Sequence, residues 1–271
     1  MITPHPQLID EIVGIGMAKT RASVGRVAVL AVIAGAFIAL GGILSVTVGF
    51  GFPEVTAGNP GLQKLLSGLL FPVGLLLVVM FGAELFTGNN AVLMPGLSAG
   101  KFGPADVLRQ WTVVWVFNFV GALLFTWLFV DFSGLTSAEP YRSAVVGIAT
   151  AKANLPFPVA FVKGIAANWC VCLAVWLALM VKSLPAKVLA CWIPVGAFVI
   201  LGYEHSIANM FFIPAGMMQG ADVSFGQLFM NLLAVTLGNI VGGALLVGML
   251  YHKLHFRTEN VKKADEIKKN S

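Results

Sequence analysis

Six stretches of this sequence are apolar for about 20 residues or more, the length an α-helix needs to cross the hydrocarbon of a bilayer. They run from Val27 to Val48, Leu65 to Met94, Val107 to Val130, Val159 to Val181, Val188 to Met218 and Leu228 to Leu250. Lipid offers no partner to a backbone N–H or C=O, so each span must be helical wherever lipid touches it. The second and fifth spans are interrupted. Gly82-Ala83-Glu84-Leu85-Phe86-Thr87-Gly88-Asn89-Asn90 and Gly202-Tyr203-Glu204-His205-Ser206-Ile207-Ala208-Asn209-Met210 set a carboxylate, glycines and amides inside otherwise apolar runs. The links between spans carry turn punctuation such as Gly51-Phe52-Pro53, Lys101-Phe102-Gly103-Pro104 and Ser183-Leu184-Pro185. The expected fold class is an all-α membrane protein with six transmembrane helices, the second and fifth broken.

Composition agrees. The chain is 58% hydrophobic and 11% charged, against roughly 25% charged residues in a soluble domain. The net charge of +5 sits mostly at the two ends, so it reports orientation and gives no support for nucleic-acid binding. With both termini cytoplasmic, that side carries Lys19, Arg21, Arg26, Lys101, Arg109, Lys182, Lys187, Lys253, Arg257, Lys262, Lys263, Lys268 and Lys269. The other side carries Lys64, Arg142 and Lys152, while Lys163 lies within the fourth span near its outer end. Three domains of behaviour follow: a cytoplasmic amphipathic segment over residues 1–25 that can lie on the membrane surface, a six-helix channel domain over 26–252, and a polar cytoplasmic tail over 253–271. Asp10, Glu11, Lys19 and Arg21 break up the start of the chain, which therefore does not read as a cleaved signal peptide. Cys170, Cys172 and Cys191 all fall in apolar spans and read as small packing residues, with no disulfide framework, metal site or cofactor.

The two halves repeat. Asn118-Phe119-Val120-Gly121-Ala122-Leu123-Leu124 resembles Asn239-Ile240-Val241-Gly242-Gly243-Ala244-Leu245, 121 residues later, and Glu204 follows Glu84 by 120. Two halves of three spans each must run in opposite directions through the membrane, which gives an inverted 3+3 repeat. Broken spans at matching places in such halves are where transporters bind substrate.

Polar groups inside a membrane are costly and generally face a cavity or a pore. His205 stands in the second break beside Glu204. Its imidazole can hydrogen-bond a small anion or hand it a proton, removing the charge that makes hydrocarbon hard to enter. Glu84 and Glu204 read as scaffold more than as proton relay, accepting hydrogen bonds from the backbone N–H groups that a break frees. Asn90, Asn168 and Asn209 are expected to bridge backbone groups in the same region. Thr87 reads equally as a hydroxyl presented opposite His205 or as an ordinary helix-end threonine. Phe71 and Phe198 stand at roughly corresponding places before the two breaks and read as an apolar gate or, as is usual for Phe in a membrane helix, as packing residues. Lys152, in Thr150-Ala151-Lys152-Ala153-Asn154, is expected in an outer loop, where an ammonium at a pore mouth concentrates anions.

These residues resemble the formate/nitrite transporter family over nearly the whole chain. The resemblance rests on Gly82 to Asn89, on Lys163-Gly164-Ile165-Ala166-Ala167-Asn168-Trp169 with Cys172-Leu173-Ala174-Val175-Trp176, and on Gly202 to Met210. It implies an aquaporin-like protomer in a homopentamer, each protomer with its own pore, in the plasma membrane of a prokaryote. It further implies that His205 is the central pore histidine faced by Thr87, with Asn168 beside them. Phe71 and Phe198 would form the outer constriction, Leu75, Leu85, Phe86 and Val171 the cytoplasmic one, and Lys152 would be the vestibule lysine. Formate is the first expectation for the substrate, then nitrite or hydrosulfide, all small monovalent anions.

Three readings compete. An intramembrane hydrolase using Ser206 and His205 is disfavoured because adjacent helical residues do not face one another. A neutral-solute pore lacks the paired Asn-Pro-Ala motif. A purely structural or sensory protein gives two costly polar breaks no use.

Overall fold

The computed structural model describes residues 2–254. Within them the chain is helical, and its elements are α1 (His5–Arg21), α2 (Val24–Phe50), α3 (Pro53–Thr56), α4 (Pro60–Leu70), α5 (Pro72–Phe81), α6 (Phe86–Ser98), α7 (Pro104–Phe125), α8 (Tyr141–Ala153), α9 (Phe157–Met180), α10 (Leu184–Ile200), α11 (Ser206–Met218) and α12 (Phe225–Ile240). Helices α7 and α12 continue into wider-wound π segments, Thr126–Asp131 and Val241–Met249. Among the described residues five helical stretches are long and apolar enough to cross a membrane: α2, α4 with α5, α9, and α7 and α12 with their extensions. The sixth expected span, α10, has 17 residues, about 25 Å of helix at 1.5 Å per residue, and the chain resumes as α11 beyond the break.

Both breaks are built alike. Helix α5 ends at Gly82 (φ 62°) and α10 gives way to Gly202 (φ 69°), left-handed conformations that only glycine adopts without strain. Three residues later the backbone is extended at Leu85 (φ −106°, ψ 124°) and His205 (φ −118°, ψ 118°), and a new 13-residue helix begins.

Helices approach closely where side chains are absent. A methyl group on Gly121 of α7 would lie 1.9 Å from the carbonyl oxygen of Val32 in α2, and one on Gly242 would lie 2.2 Å from that of Ile165 in α9. Small residues at such crossings let backbones pack in lipid, where no hydrophobic force drives helices together. The pairs α2 with α7 and α9 with α12 therefore form two tight dimers, with α6 and α11 between them. The outer surface is a girdle of exposed Val29, Ile33, Val120, Phe129, Val162, Ile193, Phe229 and Leu237.

Two expectations are corrected. Residues 6–20 do form an amphipathic helix, but its apolar face, Leu8, Ile9 and Ile12, packs on Ala91, Val92, Cys172 and Trp176 instead of on lipid. Lys152 lies in the last turn of α8, a helix packed along α11, and not in a loop. The sequence hid α8 because its buried face is made of alanines and one valine, Ala144, Val145, Ala149 and Ala153. The expected tail over 253–271 lies outside the described residues from 255 onward.

Candidate functional site: the meeting of two helix breaks

A helix that restarts inside a membrane exposes backbone groups that need partners. Two buried asparagines supply them. The Asn118 side chain accepts from Phe86 N–H at 3.0 Å and donates to Glu84 O at 2.8 Å and Ala31 O at 2.7 Å. Asn239 does the same in the other half, accepting from Ser206 N–H at 2.9 Å and donating to Glu204 O at 3.1 Å and Gly164 O at 2.8 Å. These are the residues that hold the breaks open, a role the sequence reading had given to the carboxylates.

The carboxylates are instead held by side chains. Glu204 accepts from Lys152 Nζ at 2.9 and 3.1 Å and from Asn209 Nδ2 at 2.7 Å, and Asn209 continues to Asn231. Glu84 accepts from Lys19 Nζ at 2.8 Å, from Asn89 Nδ2 at 2.7 Å and from Gln110 Nε2 at 3.1 Å. Each buried charge thus has a cation and amide donors, the condition under which burial of an ion is tolerated. Lys19 comes from α1, an element with no counterpart in the other half. Its role, with those of Asn89, Gln110, Asn118, Asn231 and Asn239, was missed. For the amides the signal was present: Asn89 and Asn209, Gln110 and Asn231, and Asn118 and Asn239 stand 120 or 121 residues apart.

His205 is the residue before α11, and its Nδ1 accepts a hydrogen bond from Ala208 N–H at 3.0 Å. An acceptor nitrogen carries no hydrogen, so in the neutral ring the hydrogen is on Nε2. Nε2 lies 2.9 Å from Thr87 Oγ1 in the first turn of α6, and the ring therefore donates to the threonine. The threonine hydroxyl hydrogen is left free to donate elsewhere. Of the two readings of Thr87, the one opposite His205 matches the geometry. On its other side the imidazole stacks on Phe198, ring centres 5.9 Å apart.

Two cavities of about 180 Å³ each flank this pair. The first is lined by Phe71, Lys152, Phe198, Glu204, His205 and Phe212 among others. Phe71 and Phe198 meet edge to face at 5.7 Å on its wall, and Lys152 Nζ lies 5.4 Å above the Phe212 ring. The second is lined by Lys19, Leu75, Val78, Leu85, Gly88 and Val175 among others. His205 borders the first and Gly88, the neighbour of Thr87, borders the second, so the Thr87–His205 bond lies between them.

The remaining expected residues sit behind this line. Phe86 is buried with its ring edge-on to Trp111 at 6.2 Å, and Val171 is a buried core residue; neither borders the second cavity. Asn168 Nδ2 donates to Asn239 O at 2.6 Å, Asn90 Oδ1 at 3.0 Å and Thr87 O at 3.2 Å. It braces Thr87 from behind and ties the first break to the second. Among the described residues, no three His, Cys, Asp or Glu side chains gather as metal ligands.

The family model "Formate/nitrite transporter" matches residues 6–253. A relative named "Probable formate transporter" from Methanothermobacter thermautotrophicus is 42% identical over 249 residues, covering 86% of this chain and 90% of the relative. Among solved structures, an "FNT family ion channel" superposes with TM-score 0.83 at 32% identity over 91% of this chain and 98% of that one. A "Pentameric formate channel with formate bound" superposes with TM-score 0.74 at 32% identity, over 86% and 98% respectively. These relatives are named transporters and channels, not enzymes, and the chain is an integral membrane protein of the formate/nitrite transporter family.

Proposed function

We propose that this protein conducts small monovalent anions across the plasma membrane, formate first and nitrite or hydrosulfide second. Each protomer of a homopentamer carries its own path: from the Lys152 cavity, between Phe71 and Phe198, past His205 and Thr87, and between Leu75 and Leu85 to the Lys19 cavity. The formate bound in a pentameric relative supports both the ligand and the assembly. In this reading the protomer is an inverted 3+3 repeat of aquaporin-like form. The paired break geometry and the Asn118 and Asn239 clamps, 121 residues apart, support it. The excess of basic residues at the two ends of the chain supports a cytoplasmic position for both termini and for the Lys19 cavity.

The observation that carries the proposal is the Thr87–His205 hydrogen bond between the two cavities. An anion in the apolar constriction loses most of its hydration. The free donor where it passes is the threonine hydroxyl, whose oxygen accepts from the imidazole Nε2–H. The positive ends of α6 and α11 are the helix starts that flank this point. A hydrogen-bonded anion shares its charge with these groups and crosses the phenylalanine and leucine rings at lower cost. Proton transfer from the ring is a second route to a neutral solute. It needs an imidazolium, and the second proton can go only to Nδ1, displacing the Ala208 N–H. The structure thus favours hydrogen bonding at the neutral Thr87–His205 pair as the first event.

The test is flux into proteoliposomes of formate, nitrite, hydrosulfide and lactate in competition. Formate and nitrite are expected to enter, faster as outside pH falls, and His205→Ala is expected to change that pH dependence. Unchanged anion flux at every pH would remove His205 from the mechanism. Osmotic swelling without anion flux would point to a neutral-solute pore instead.

A further inference from the structure

The first cavity has two lysines on its wall, Lys64 and Lys152. They are not electrostatically equivalent. Lys152 is bound by both oxygens of the Glu204 carboxylate, at 2.9 and 3.1 Å, so seen from the mouth the pair has no net charge. Lys64, in α4, is exposed and forms no ion pair among the described residues. The other ionisable groups on that wall are Glu204, His205 and Tyr203. Acidic residues elsewhere in the chain, such as Glu54, Asp131, Glu139 and Asp222, do not border the cavity. Beside Lys64, the α4 wall is fixed by Gln63 donating to Ser67 Oγ at 3.2 Å and Ser67 donating to Ser45 O at 3.2 Å. Among the described residues the second cavity has no equivalent, because the one lysine lining it there, Lys19, is matched by Glu84.

We propose that Lys64, and not Lys152, is the residue whose charge gathers monovalent anions at this mouth. The inference rests on the anion-conducting reading above and deepens it by separating two jobs. Lys152 is a counter-ion that makes the buried Glu204 tolerable and holds the second break in shape. Lys64 supplies the uncompensated positive field. A unit charge roughly 7 Å from a largely aqueous path raises local anion concentration about threefold at low salt. The effect fades when the screening length falls below that distance, as it does above about 0.2 M salt.

The experiment is initial uptake of formate into vesicles at pH 7, at subsaturating and saturating concentrations, in about 10 mM and about 300 mM inert salt. Lys64→Gln is expected to lower subsaturating uptake about threefold at low salt and by much less at high salt, with the saturating rate unchanged. Lys64→Cys treated with a membrane-impermeant trimethylammonium thiol reagent should return to the parent rate, and a sulfonate reagent should depress it further. The parent protein treated with the same reagents gives the baseline. A loss that is independent of salt, a lowered saturating rate, or equal effects of the two reagents would overturn the proposal. Parent vesicles impermeable to formate and nitrite would instead refute the functional reading beneath it.

Discussion

His205 does two things at once, and they can be separated by substitution. Its Nδ1 caps α11 by accepting from Ala208 N–H, and its Nε2 meets Thr87. His205→Ala removes both. Losing a helix cap costs about 1 kcal/mol, and leaving the fully buried Thr87 hydroxyl without its partner costs about 1–3 kcal/mol more. At roughly 2–4 °C per kcal/mol for a chain of this size, the alanine variant is expected to melt roughly 5–15 °C below the parent. Asparagine is a strong helix cap whose short side-chain oxygen can accept from Ala208 N–H but does not extend to Thr87. His205→Asn should therefore recover about 1 kcal/mol, or roughly 2–4 °C, relative to alanine, while transporting no better. Thermal unfolding of the detergent-solubilised protein, followed by tryptophan fluorescence, measures the first quantity; formate uptake between pH 5 and pH 8 measures the second. If the asparagine and alanine variants melt together, Nδ1 is not a cap, and the tautomer assignment falls with it. If His205→Asn keeps the parent's flux and pH dependence, the imidazole is not the group that handles the anion.

Other outcomes follow from the same contacts. Lys152→Met strands the buried Glu204 carboxylate, at an expected cost of about 3–5 kcal/mol. Lys152→Met with Glu204→Gln should recover much of that loss in the same melting assay, because it removes the charge along with its partner. Phe71→Ala opens the edge-to-face pair with Phe198 and should admit lactate, measured by competition against labelled formate, with the formate rate maintained or raised. Asn239→Ala leaves Ser206 N–H and Glu204 O at the break without their partner, while Gly164 O, inside α9, keeps its helical bond; at about 1–3 kcal/mol for each unpaired buried group, it should destabilise at least as much as His205→Ala does. Gly242→Val places branched carbons where even a methyl group would lie 2.2 Å from Ile165 O, and should prevent recovery of folded protein from membranes.

Some of this was legible before any coordinate. Apolar runs of membrane length, two of them broken by a glutamate between glycines and amides, leave few structures, because backbone in lipid must satisfy itself. The 120- and 121-residue offsets brought the two breaks together as a pair and put Asn118 and Asn239 in register, though not in their role. Lys19 and α8 were not legible for a physical reason. The charge partner of Glu84 comes from a helix outside the repeat, and the periodicity of α8 is written in alanines, which differ little from their neighbours in hydropathy.

The order of residues decided the class of molecule: where the apolar membrane spans lie, where two of them break, and that ionisable groups sit at the breaks. Only the tertiary structure decided which groups share charge. Distance and direction, not residue type, join Lys152 to Glu204 and so leave Lys64, among the described residues, as the cation on that cavity's wall with no ion pair. They also turn the His205 ring so that one nitrogen holds a helix and the other faces Thr87. A linear sequence carries the donors and acceptors, but an ionic or hydrogen-bonded pair exists only within about 3–4 Å, and contacts between residues 52 or 118 positions apart are made by packing alone.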